Sequence, residues 1–270
     1  MGKMGKTALF SSIFLFAIFL AGSFAPSSAM SAGKSQAAGA GGDAAEPVQH
    51  QAKAAMAVAS VDTKEGVGPV KKYYPEGSPT RAIQDLDDML DDFKVAGQGE
   101  KLTAAEQAQN DQLKQKIIRG TFDIRELAKQ SLVSHWNGLS EGQRSQFVGL
   151  LTDLLEQKAL FSKEQSAAKG KSGGKYFVVY RGHKLEGPSG TLSFVRTKVV
   201  VPSENIDISL NYRLKKQGSE WKIYDVIVDE ASLVDNYKYQ FDSIIKKHGF
   251  GDLIRRMSEK LAEIRSKRNS

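Results

Sequence analysis

The chain contains no cysteine. Disulfides, thiol catalysis, thiolate metal sites and lipid attachment at a processed N-terminal cysteine are thereby excluded. Histidine is nearly as scarce. His50, His135, His183 and His248 never stand two, three or four residues apart, so no local metal-ligating pair exists. Only 7 prolines occur in 270 residues, which leaves room for long uninterrupted helices. Past the N-terminus no apolar run is long enough to span a bilayer, and no internal repeat is visible. Glycine-based nucleotide signatures are missing too. Gly97-x-Gly99 lacks a third glycine, and Gly170-Lys171-Ser172 has Gln165 where a phosphate-binding loop needs glycine.

What is present begins with a leader. Lys3 and Lys6 precede an apolar run unbroken by charge from Ala8 to about Ala21, and Ser27-Ser28-Ala29 supplies small residues at a cleavage point. This is the three-part pattern of a secretory signal peptide over residues 1–29, and the run is short for a membrane anchor. Its removal takes two lysines and no acids, lowering the formal charge from +7 to +5. The basic residues are spread along the chain, so the excess is read as solubility, and nucleic acid is not expected as a partner. Residues 30–70 are Ala, Gly, Ser and Gln with scattered charge. Such a segment buries too little to offset its ordering entropy and is expected to be a disordered tether. Residues 71–270 are expected to form a single domain.

Within it, helical periodicity comes first. Ile83, Leu86, Leu90 and Phe93 make a stripe on a helix starting near Thr80, with Asp85, Asp87, Asp88, Asp91 and Asp92 on its other side. Thr103 and Glu106 form a capping box, Asp123 caps a third helix carrying Ile124 to Trp136, and Ser140 with Gln143 opens a fourth. The period then changes. Tyr176 to Arg181, Thr191 to Val201, Ile206 to Leu214 and Trp221 to Val228 read as strands. In the second, Leu192 and Phe194 have the opposite parity to Val199 and Val201, which predicts a bulge or sharp bend at Arg196 to Lys198. Ser232 caps a helix with Leu233, Tyr237, Phe241 and Ile244 on one side, and a basic helix follows Gly249 and Gly251. The expected class is α+β: a curved antiparallel sheet of about four strands, with helices packed across one face around an apolar cavity.

Catalytic signals are weak. Gly170-Lys171-Ser172-Gly173-Gly174 matches the spacing of a serine-hydrolase elbow, but a helix precedes it and a strand follows, the reverse of what that turn requires. The aspartates from Asp85 to Asp92 read as a solvated helix face, with a divalent-cation site as the alternative. Asp225, inside the last strand, reads as a hydrogen-bonded structural carboxylate, with an acid of raised pKa in a cavity as the alternative. Arg255, Arg256, Lys260, Arg265, Lys267 and Arg268 read as a solvated face, or as a docking surface for anionic lipid. No cofactor or metal is called for.

The segments Phe122-Asp123, Trp136, SEGQRSQF and WKIYDVIVDEASLVDNYKYQF resemble the toluene-tolerance (MlaC) family, over roughly Pro79 to Arg265. Trp221, Tyr224, Asp225, Ser232, Leu233, Tyr237 and Phe241 fit its pattern, as does Gly249-Phe250-x-x-Leu253-Ile254. The glycine often found before the Trp is replaced, since Val133-Ser134 stand there, and the loop Ser162 to Gly174 is longer than usual. The resemblance implies a periplasmic phospholipid-binding protein that carries lipid between outer and inner membranes, holding acyl tails in a hydrophobic pocket. It implies phospholipid as ligand, with an inner-membrane ABC transporter bearing an MCE-domain ring and an outer-membrane lipoprotein complex as partners. Pocket candidates on the helices are Phe147, Leu150, Leu151, Leu154, Tyr237, Phe241 and Ile244. On the strands they are Val179, Leu192, Phe194, Val199, Ile208, Leu210, Tyr212, Tyr224 and Val226. Two alternatives stay open: a secreted α+β enzyme using Asp225, and a structural envelope protein with a closed core.

Overall fold

A computed structural model describes residues 72–94, 96, 100–158, 177–201 and 205–268. The expected leader at 1–29, the tether at 30–70, Gly97 to Gly99 and the loop Ser162 to Gly174 lie outside these.

Among the described residues, five helices precede the sheet: α1 (Pro79–Asp91), α2 (Ala104–Thr121), α3 (Ile124–Leu132), α4 (Ser134–Gly138) and α5 (Glu141–Lys158). Their starts follow from side-chain caps. Ser78, rather than Thr80, opens α1. Its hydroxyl accepts from the Arg81 amide, and Pro79 sits in the first turn, where a missing N–H costs nothing. The Thr103–Glu106 box is reciprocal, and the Asp123 carboxylate accepts from the Glu126 amide at 2.9 Å. The Ser140 hydroxyl accepts from the Gln143 amide, and the Gln143 side chain accepts from the Ser140 amide.

The third helix does not run through to Trp136 as its apolar stripe suggested. It stops at Leu132, and Trp136 lies on the separate α4. Val133 makes the break, at φ 46° and ψ −114°. That conformation suits glycine and strains a β-branched residue. Val133 occupies the place where the family pattern often has glycine.

The sheet is an antiparallel meander in the order β1 (Phe177–Glu186), β2 (Leu192–Val201), β3 (Ile206–Gln217), β4 (Glu220–Val228) and the two-residue β5 (Ala231–Ser232). The bulge expected at Arg196 to Lys198 is not there. β2 pairs with β3 without interruption from Leu192↔Lys215 to Val201↔Ile206. Ser193, Val195, Thr197 and Val199 form one continuous buried face. Thr197 belongs to it because its hydroxyl donates to the Leu210 carbonyl, so a polar residue occupies a core position at no hydrogen-bonding cost. The irregularities lie elsewhere. One is in β1 between Tyr180 and His183, where Gly182 has φ 80°. The other is in β4, where Arg213 pairs with Asp225 and Leu214 with Ile223, leaving Tyr224 as the extra residue.

Helices cover both faces of β4, not one. On the first face α1 lies over β1, β2 and β4. The Tyr180 hydroxyl donates to Asp87 at 2.7 Å, Thr80 meets His183 Nδ1 at 2.8 Å, and the Trp221 indole donates to the Gly77 carbonyl at 3.0 Å. On the second face Lys215 pairs with Glu126 of α3 at 2.6 Å, and Asp225 meets the first turn of α6 (Leu233–His248). β4 is therefore buried on both sides from Ile223 to Val228, and it is not the half-buried strand its alternation suggested. Phe122 adds a parallel bridge beside Ile223, carrying the chain from α2 into α3 along this strand. α7 (Phe250–Arg268) closes the element order.

Replacing Val133 with glycine relieves a left-handed conformation at a side chain that is 47% exposed, so little burial is lost. Thermal unfolding of V133G is expected about 2–4 °C above the parent, equivalent to about 1 kcal/mol. A lowered midpoint would contradict the strain assignment.

Candidate functional site

The pocket candidates fall into three groups. The helix group comes together. Phe147, Leu151 and Leu154 of α5 and Tyr237, Phe241 and Ile244 of α6 are buried, and Leu150 is half-buried. The Phe147 and Phe241 rings meet edge to face with centroids 5.4 Å apart, and Tyr237 stacks on Phe241 at 5.2 Å. Phe250, at the start of α7, lies 6.2 Å from Phe147 and extends the cluster. The sequence reading did not put Phe250 at the site, although its place directly after the helix-breaking Gly249 brings the turn back onto α5. Edge-to-face and stacked contacts of this kind add about 0.5–1.5 kcal/mol beyond area burial.

The second group shares a sheet face. Val199 pairs with Ile208, Thr197 with Leu210, Val195 with Tyr212, and Tyr212 with Val226. Val199, Ile208 and Val226 are buried, while Leu210 and Tyr212 are half-buried. This is the face on which α1 lies. The third group is on the other side. Leu192 and Phe194 pair with Lys215 and Arg213, and Val179 pairs with Lys198 and is 38% exposed. Reading the Leu192/Phe194 parity as inward-facing is thus corrected: the inward parity belongs to Ser193 and Val195. Tyr224 is buried at the β4 bulge.

A gap was expected between the helix group and the sheet. The helix group and the sheet residues Val195, Val199, Ile208 and Val226 instead belong to one packed core, within which the rings of Phe147, Tyr237 and Phe241 touch. Apolar side chains close a dry void because leaving it empty costs about 24 cal/mol per Å³. Two surface clefts among the described residues lie away from this cluster. One of about 490 Å³ lies where α3 and α4 meet α6, against Leu132, Val133, Asp235, Tyr239 and Asp242. The other, about 360 Å³, lies between Asp92, Lys94, Gln109 and Leu113. Neither touches a pocket candidate.

Three polar side-chain atoms among the described residues are buried without a partner: Ser131 Oγ, Tyr237 Oη and Gln240 Oε1. All are on α3 and α6, which pack against each other. Burial alone drives the Tyr237 phenol far above its ordinary pKa of 10.0, so it stays a neutral donor.

The other titratable candidates are occupied. Asp225 is 2% exposed. One oxygen accepts from the Ser232 hydroxyl at 2.8 Å and the other from the Val234 amide at 3.1 Å. Ser232 in turn accepts from the Asp235 amide. Strand and helix are thereby joined through the N-terminus of α6. Burial pushes the Asp225 carboxyl up, and the two hydrogen bonds only partly oppose this. Of the aspartate row, Asp85 holds Arg81, Asp87 holds Tyr180 and Asp88 holds Tyr73. On α7, Arg255 bonds Asp252 and Glu259, Arg256 bonds Asp252, and Lys260 and Lys267 share Glu263, which they hold down to about 2. Arg265 reaches Asp153 at 3.1 Å. These basic groups are largely neutralised by their own helix and its neighbour, as a solvated face requires. The Gly170-Lys171-Ser172 motif lies outside the described residues.

The sequence pattern of the family described as MlaC protein matches residues 87–259. No curated relative matches in sequence. Among solved structures, the fold is similar to a phospholipid-binding protein from Ralstonia solanacearum, determined in complex with a phospholipid. The TM-score is 0.54 at 22% identity, over 69% of this chain and 98% of that one.

Asp225→Ala is expected to cost about 2 kcal/mol in denaturant unfolding, because the Ser232 hydroxyl and the Val234 amide lose their acceptor. The pH dependence has a definite sign. With the folded carboxyl above 3.8, the native state holds the extra proton between 3.8 and the folded value. Stability from this group therefore falls as pH rises through that window. Asp225→Asn should flatten the fall; an unchanged profile would contradict a raised carboxyl.

Proposed function

The chain belongs to the MlaC family, and from that premise we propose that it is a soluble periplasmic carrier that moves phospholipid between the outer and inner membranes. The observation that carries this reading is the family match laid over an interior of large apolar side chains from α5, α6 and α7. Each buried methylene is worth about 0.8 kcal/mol, so two acyl chains in water are prohibitive. A carrier has to offer an interior as dry as a bilayer. The rings of Phe147, Tyr237 and Phe241 are in contact, so loading has to part α5 and α6 and replace ring–ring contacts with ring–chain contacts. An exchange of one apolar contact for another is close to isoenergetic, which lets lipid enter and leave without a catalytic step. The head group stays in water at the mouth, so tails rather than head groups determine binding.

The leader at 1–29 supports export to the periplasm, and residues 30–70 are read as a tether between leader and domain. The partners consistent with a two-membrane route are an inner-membrane ABC transporter with an MCE-domain ring and an outer-membrane lipoprotein complex. An enzyme using Asp225 has less support, since both carboxylate oxygens already accept hydrogen bonds that cap α6.

Native mass spectrometry of the purified chain is expected to show a co-purified phospholipid, and the delipidated chain should take phospholipid up from vesicles. Folded protein that repeatedly carries none and takes up none would overturn the carrier reading.

A further inference from the structure

Tyr237 is an odd residue for its position. It is 1% exposed and stacked on Phe241, and its hydroxyl has no hydrogen-bond partner. Phenylalanine would fill the same space and stack equally well without leaving a buried polar atom unsatisfied. Other buried polar side chains among the described residues are satisfied: Thr197 donates to a carbonyl, and Asp225 accepts twice. The two remaining unsatisfied atoms, Ser131 Oγ and Gln240 Oε1, belong to the same pair of helices, α3 and α6. Among the described residues, the buried side-chain atoms left without a partner are all on this pair of helices.

We propose that Tyr237 is the polar anchor of the lipid site: its hydroxyl donates a hydrogen bond to an ester carbonyl oxygen of an acyl-glycerol lipid whose tails lie against Phe147 and Phe241. This rests on the carrier reading. The chemistry of the donor and its depth select the acceptor. A phosphate oxygen carries charge that would have to be buried among phenyl rings, at a cost no single hydroxyl offsets. An ester carbonyl is neutral, accepts well, and is the polar atom of a phospholipid nearest its tails. A hydrocarbon or an ether-linked lipid lacks it. The anchor thus fixes how far the tails enter and favours ester lipids over ether lipids, a selectivity that a purely apolar interior cannot have. The phenol stays neutral because burial raises its pKa, so it has a proton to donate throughout the physiological range.

The test uses the delipidated chain, its Tyr237→Phe variant, and two probes: a diacyl phosphatidylglycerol and the dialkyl ether of the same chain lengths. The parent should bind the diester about fivefold more tightly than the diether. In Y237F the diester should weaken by about fivefold while the diether is unchanged, erasing the preference. Without lipid, Y237F should melt about 2–4 °C higher, since an unsatisfied hydroxyl has gone. Equal losses for both lipids, or no loss for either, would overturn the anchor and leave the carrier reading standing. A parent chain that binds neither lipid would overturn both.

Discussion

The bond pattern at Asp225 is the constraint on which the rest of the architecture hangs. β4 is buried on both faces, and a buried carboxylate on its second face is tolerable only because it is fully engaged. Its partners are the cap residue Ser232 and the first-turn amide of Val234, so the same two hydrogen bonds that satisfy the strand also start α6. Asp229 and Glu230, both at positive φ, turn the chain tightly enough to deliver Ser232 back beside Ile227. The direction of α6 is set there. So is the placement of Tyr237 and Phe241, one and two turns further on, against α5.

That placement produces an interior with two kinds of wall. The α1 side is pinned by specific polar contacts: Tyr180 to Asp87, His183 to Thr80, and Trp221 to Gly77. The α5–α6 side is held by ring contacts and aliphatic packing, which are non-directional and exchangeable. The α3–α6 pair even carries unsatisfied polar atoms. In the carrier reading this asymmetry has a purpose. The pinned wall keeps the fold, and the greasy wall gives way to acyl chains without breaking a hydrogen bond.

Much of the fold was legible because it is written locally. The caps at Thr103, Asp123, Ser140 and Ser232 each need only a side chain and an amide two or three residues on, so spacing alone reveals them. The end of the first strand was missed because Gly182 takes a positive φ and lets β1 continue to Glu186. The inward face of β2 was misread because Thr197 counts as polar by residue type, yet its hydroxyl is satisfied across the sheet by Leu210. Leu192 and Phe194 looked like core for the opposite reason: they are apolar, but the register sends them to the half-buried side beside Arg213 and Lys215. The break at Val133 showed in the sequence only as a missing glycine. Which face of β4 is covered by α3 depends on the pairing of Lys215 with Glu126, 89 residues apart in sequence, and no local pattern encodes it. On the helices, Phe147, Leu151, Leu154, Tyr237, Phe241 and Ile244 were found by periodicity and do cluster, whereas Phe250 was overlooked at a helix start.

The central claim is that acyl chains replace the ring contacts between α5 and α6. Nuclear Overhauser contacts in solution, from the acyl methylene protons of bound phospholipid to the protein, test it most directly. The account predicts contacts to the ring protons of Phe147, Tyr237 and Phe241. Contacts confined to Leu132, Val133 and Tyr239, in the surface cleft between α3 and α6, would contradict it.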